Sequence, residues 1–298
     1  MPARSELFDE SFLRKLEGLH LIAKRLAAGG PAGHRRSAGL GDGLEFADHR
    51  GYQPGDDLRF IDWPYFARME KLLLRLFHEH SEAGVGILLD CSDSMASAGA
   101  MEKFDYARRA AAALAYVAMG SGERVEVLPF ADEPAPAKRT GRNRMQIFEV
   151  LDFLAGLSPS GRTGLARCVE KLAARKEVPG TVVLIGDLLD CQAELDSSLA
   201  LLASRVGDRV VLHVYSPTDA DPDLTGALLL RHAETGASLP VRASESLRAS
   251  YRRQWEKFVA GCQRTCAARG TLYAAAPTDV PFERLVLQTL RRAGVLAG

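Results

Sequence analysis

The sequence predicts an α/β protein, a doubly wound and mostly parallel sheet, and three observations point there. Short apolar runs at 85–89, 125–130, 181–185 and 209–215 alternate with longer stretches of helical periodicity. Runs apolar on both faces suit a parallel sheet covered by helices, not an antiparallel sheet wet on one side. Two of these strands lead into a carboxylate, Asp90 and Asp187, where open α/β sheets hold their ligands.

In chain order, residues 11–28 place Phe12, Leu13, Leu16, Leu19, Ile22, Ala23 and Leu26 at helical spacing, and Gly29-Gly30-Pro31 stops the helix. Residues 32–43 read as an exposed loop, because Gly39 to Gly43 lack the preceding strand and spacing of a phosphate cradle. In 45–68 the charges of Asp48, Arg50, Asp56, Asp57, Arg59, Asp62 and Arg68 alternate around the turn Pro54-Gly55-Asp56-Asp57. An ion-pair network holding a compact, strand-poor scaffold is expected. Residues 1–80 should thus be a small N-terminal helical and irregular extension, and 81–298 the doubly wound domain.

Residues 72–80 read as a strand leading towards the central strand at 85–90. His78 and His80 on it are expected to be solvated or pairing, not zinc ligands. Helices follow at 103–119, 145–157, 165–176 and 194–204, between the strands already named. Beyond Pro217 the rhythm breaks into a hairpin appendage near 226–243, turning at Glu234-Thr235-Gly236. A helix at 246–268, a strand at 271–276 and a helix at 282–293 close the chain.

A composition of 47% hydrophobic and 26% charged residues permits a sizeable core. Lys+Arg and Asp+Glu are both 38, so the balanced total favours neither nucleic acid nor an anionic membrane as partner. The longest nearly uncharged apolar run, 110–119, is about half a membrane span, and Met1 to Glu6 lack the features of a signal peptide. A cytoplasmic address with no membrane segment is expected. The five cysteines include no Cys-x-x-Cys pair, and reduced thiols are the default. Cys262 and Cys266 share a helix face but have no further zinc ligands nearby in sequence.

The central strand is followed by Asp90-Cys91-Ser92-Asp93-Ser94-Met95, which sets three oxygen-bearing side chains in alternation. Carboxylate and hydroxyl oxygens without nitrogen or sulfur suit a hard divalent cation. Asp-x-Ser-x-Ser after an apolar strand resembles the metal-ion-dependent adhesion site of von Willebrand factor A-type domains. That resemblance implies two more ligands, a loop Thr and a second Asp, for which Thr163 and Asp187 stand in the right places. Asp90, Ser92, Ser94, Thr163 and Asp187 would then hold Mg²⁺, before Mn²⁺ or Ca²⁺.

Upstream, Glu45-Phe46, Asp48, Arg50, Tyr52, Pro54-Gly55-Asp56-Asp57, Arg59, Ile61-Asp62-Trp63 and Ala67-Arg68 form a second block. Joined to Asp90-x-Ser92-x-Ser94-Met95, it resembles the bacterial family called domain of unknown function fifty-eight, over about 43–187. Members often carry membrane helices ahead of this block, and none is read here. The resemblance implies partnership with MoxR-type AAA+ ATPases in assembly or maturation of other proteins, with no known reaction.

A cation-dependent interaction module, not an enzyme, is the expected function. The alternative is a metal-dependent, phosphatase-like hydrolase. Its haloacid-dehalogenase form needs an Asp where Ser92 stands, and no histidine is placed to activate Ser92. A third reading leaves the Ser and Asp residues satisfying loop backbone groups alone.

Overall fold

The computed structural model describes residues 7–29, 40–41, 45–52, 58, 61–78, 84–96, 103–133 and 135–292. The chain forms two units, residues 33–83 and the remainder, 1–32 with 84–298. Helix α1 (Glu10–Gly29) opens the larger one. The smaller contains β1 (Leu40–Gly41), β2 (Glu45–Gly51), α2 (Trp63–Met69) and β3 (Leu73–His78), its strands antiparallel in the order β1-β3-β2.

A block expected to be strand-poor is therefore built on a sheet. β2 carries charge at Glu45, Asp48 and Arg50 and has few strand formers, so pairing with the apolar β3 overrides local propensity. The strand at 72–80, expected to lead towards the central strand, instead serves this sheet as β3. Asp62 caps α2 by accepting the Tyr65 N–H (2.9 Å), and Glu70 ends the helix in a left-handed conformation. Arg68 donates to the Pro64 carbonyl and Arg50 to that of Gly51. The Tyr52 N–H donates to Leu72 O, and Trp63 is exposed with its ring edge-on to Phe66. The side chains of Asp48, Asp56, Asp57, Arg59 and His78, and all of His80, lie outside the described residues.

In the larger unit the next elements are β4 (Val85–Asp90), α3 (Lys103–Gly120), β5 (Val125–Phe130), β6 (Lys138–Arg139), α4 (Ile147–Ala155), α5 (Leu165–Ala173) and β7 (Thr181–Gly186). Then come α6 (Gln192–Ala203), β8 (Asp208–Tyr215), α7 (Pro217–Ala220), the hairpin β9 (Ala227–Arg231) and β10 (Ser238–Arg242), α8 (Glu245–Ala268), β11 (Leu272–Pro277) and α9 (Phe282–Arg292). The main sheet runs β11-β8-β7-β4-β5-β6, parallel except for the two-residue edge β6. Counted within this sheet alone, that is the doubly wound order, with its switch point between β4 and β7.

Strand residues alternate between two cores. Ile87 and Leu89 pack with α1, α3, α4 and α9, whereas Leu88 packs with α5, α6 and α8. Cys262 and Cys266 are buried in the second core as free thiols, and burial raises both above their ordinary range. Neither β6 nor α7 is expected from the sequence, because two and four residues are too short to show a period.

Helix α1 belongs with the sheet, which moves the expected division at residue 80. Its apolar stripe, Phe12, Leu16 and Leu19, is buried with Leu7 and Phe8 just ahead of it, and the Phe12 ring lies 5.2 Å from that of Phe282 on α9. Lys15 pairs with Glu283 (2.8 Å), and Arg109 of α3 donates to Leu7 O (3.0 Å). The hairpin is an appendage as expected, since among the described residues β9 and β10 pair only with each other.

Candidate functional site

Each strand at the switch point leads into a carboxylate that is 1% exposed: Asp90 closes β4, and Asp187 follows β7. Gly186 permits this, because a Cβ there would stand 2.8 Å from Asp90 Cβ. Asp187 Oδ1 accepts the Leu189 N–H (3.2 Å), and buried Leu188 between them takes a φ of 60°, a costly conformation for a leucine.

The chain turns immediately after Asp90. The Ser92 N–H donates to Asp90 Oδ1 (2.9 Å), and a short 3₁₀ turn, Asp93–Ala96, brings Ser92 Oγ and Ser94 Oγ within 3.0 Å. Both hydroxyls are buried. The Thr163 loop is stitched alongside by two backbone bonds, Ser160 N–H to Cys91 O (2.7 Å) and Asp93 N–H to Gly161 O (2.9 Å). Gly164 ends this loop where a Cβ would stand 2.3 Å from Ala131 O, so only glycine fits.

The Thr163 loop is thus bonded to the Asp90 turn, and two residues that the sequence did not suggest contact the expected ligands Asp187 and Thr163. Lys103 Nζ lies 2.8 Å from Asp187 Oδ2 and 3.4 Å from Asp219 Oδ2, and Lys103 is itself 1% exposed. Glu234, from the hairpin turn, accepts the Thr163 Oγ1–H (2.8 Å) and N–H (3.2 Å). A signal for Lys103 did exist. A lysine opening a helix opposes the helix dipole, so it needs a carboxylate nearby. For Glu234 there was none, since an acid in a hairpin turn is ordinary.

Burial, and then the charge of Asp187, push the Asp90 carboxyl up to about 7 against hydrogen bonds from Ser92, and Glu234 adds to the rise. Lys103 neutralises Asp187. Among the described residues no lysine, arginine or histidine pairs with Asp90, leaving a buried carboxylate beside two hydroxyls. That donor set fits a hard cation. Because no group of three or more His, Cys, Asp or Glu among the described residues could hold a metal, such a site depends on the hydroxyl oxygens.

On the neighbouring strand His213 is fully buried within rings of Tyr215, Trp255, Phe258 and Tyr273, its Nδ1 2.6 Å from the Tyr273 hydroxyl. Burial brings its pKa down to about 4 against the pull of Asp187. As pH falls, the unfolded chain takes up this proton first, so the stability His213 contributes is whole above its ordinary 6.5 and lost as pH falls through about 4. Asp90 has the opposite sign: its contribution is whole below 3.8 and lost as pH rises through about 7. In chelator, His213→Gln should therefore gain about 3 kcal/mol on wild type between pH 6.5 and pH 4. Urea unfolding at both pH values checks this, and a constant difference between the proteins would refute it.

Residues 48–259 match the family described as "Protein of unknown function DUF58". The chain belongs to this family. The DUF58 chain is 28% identical over 302 residues to the uncharacterized protein Rv1480 of Mycobacterium tuberculosis, covering 99% of this chain and 94% of the relative. Among solved structures it is similar to a von Willebrand factor type A protein from Catenulispora acidiphila, with a TM-score of 0.35, 13% identity, and coverage of 61% of this chain and 43% of that one. The doubly wound order of the main sheet in this DUF58 chain rests on its own strand pairing.

A further similar structure is an aerotolerance-related membrane protein from Bacteroides fragilis, with a TM-score of 0.46, 18% identity, and coverage of 70% of this chain and 99% of that one. The expected cytoplasmic address is corrected here. This neighbour is named as a membrane protein, and a start without signal-peptide features does not place the DUF58 chain in the cytoplasm. Among the described residues no helix is long and apolar enough to cross a membrane.

Proposed function

We propose that this chain is a protein-interaction module whose switch-point crevice binds a divalent cation, Mg²⁺ before Mn²⁺ or Ca²⁺, and through it an acidic side chain of a partner. The observation that carries this reading is Asp90, a buried carboxylate beside two buried hydroxyls and paired with no cationic side chain among the described residues. Asp90, Ser92 and Ser94 would hold the cation, with Asp187 and Thr163 at the margin. When bound, the cation supplies positive charge and an open coordination position for a carboxylate. The buried surroundings strengthen that attraction by excluding water.

The MoxR-type AAA+ ATPase partner, and a client protein that the two would assemble or mature, come from the family resemblance alone. The phosphatase-like alternative would use Asp90 as its nucleophile, and no catalytic role is assigned. Titration calorimetry with Mn²⁺ and Mg²⁺ tests the cation. Asp90→Ala should weaken binding at least tenfold, and equal binding by wild type and Asp90→Ala would overturn the reading. Capture of the ATPase that is abolished by chelator and by Asp90→Ala would support the partner.

A further inference from the structure

The β9–β10 hairpin is built to be held by its tip. Among the described residues it is a two-stranded ribbon, and such a ribbon is marginal on its own. Leu229, Leu230 and Leu239 are exposed, so apolar packing does little to hold it down. Two polar contacts at the turn tie it to the loops of the switch point. His232 Nδ1 accepts the N–H groups of Glu234 and Thr235 (both 3.3 Å), which leaves its Nε2 to face Asp190 Oδ1 at 3.4 Å, just beyond Asp187. Glu234 is half-buried while its turn neighbours are exposed, and both of its carboxylate oxygens are taken by Thr163.

We propose that Glu234 is an internal ligand of the site, holding the place that a partner's acidic side chain takes, so that the hairpin must lift before a partner can bind. This rests on the cation reading above. The carboxylate meets the one expected ligand that the loop contributes, Thr163, at both its hydroxyl and its N–H. A tethered carboxylate competes at an effective concentration in the millimolar range, which masks a weakly binding partner and leaves a tight one able to displace it.

Glu234→Ala tests this in the full chain, with Thr235→Ala as the control and a hexaglutamate peptide as the acidic probe at saturating Mn²⁺. The peptide should bind Glu234→Ala about tenfold more tightly than wild type or Thr235→Ala. Hairpin amides at 227–242 should exchange hydrogen faster in Glu234→Ala. If Mn²⁺ binds all three proteins and the peptide does not distinguish them, the internal-ligand proposal is overturned while the cation reading stands. Unchanged hairpin exchange also overturns it, because Glu234 is then no latch. Loss of Mn²⁺ binding from every protein, wild type included, overturns the cation reading and this proposal with it.

Discussion

Lys103→Met should destabilise the fold by about 3–5 kcal/mol, the usual consequence of removing one partner of a buried ion pair. Asp187 and Lys103 are each 1% exposed and 2.8 Å apart, so the substitution leaves a carboxylate in a dry crevice. Asp219 is more exposed and water can solvate it, so Asp187 carries most of the effect. The double variant Lys103→Met/Asp187→Asn should recover much of the loss, because it removes the stranded charge with the ammonium. Denaturant titration of the two variants and wild type at pH 7 measures this. A loss below about 1 kcal/mol in the single variant would mean that Lys103 does not hold Asp187 in solution.

Phe12→Ala should cost about 3–5 kcal/mol, as large aromatic truncations in cores do. Phe12 is buried between Phe8 and Phe282, with ring centroids at 5.1 and 5.2 Å. A chain begun at residue 81, where the sequence alone places the boundary, should fail to fold cooperatively. It would leave the α3 and α9 surfaces under Leu7, Phe8, Phe12, Leu16 and Leu19 open to water. A cooperative transition near the wild-type midpoint in that truncated chain would show α1 to be dispensable.

The main sheet was legible because its strands are short, apolar and buried on both faces, a pattern that survives without tertiary information. The small sheet was hidden by composition. The charges of β2 and the Pro54-Gly55 turn beyond it favour an irregular reading, and only the pairing with β3 makes a strand. Asp90, Ser92 and Ser94 could be read because they are local to one strand end. Thr163 and Asp187 were found by resemblance; backbone bonds tie the Thr163 loop to the Asp90 turn, and Asp187 follows the neighbouring strand. Lys103 and Glu234 reach their partners over 84 and 71 residues, distances over which sequence pattern carries no contact information. The N-terminal helix was correctly read from its stripe, but a stripe says only that something covers it, not what.

Part of what covers it, α9, is made long after it. Phe12 meets Phe282, near the opposite end of a 298-residue chain. Ribosomes add about 5–20 residues each second, so roughly 15–60 s separate the emergence of α1 from that of α9. For that interval the newborn protein carries a finished amphipathic helix whose final partner does not yet exist. Nucleation around α1 is therefore disfavoured during synthesis, since contacts so distant in sequence form slowly. The nascent chain carries α1 without this partner until α9 leaves the tunnel.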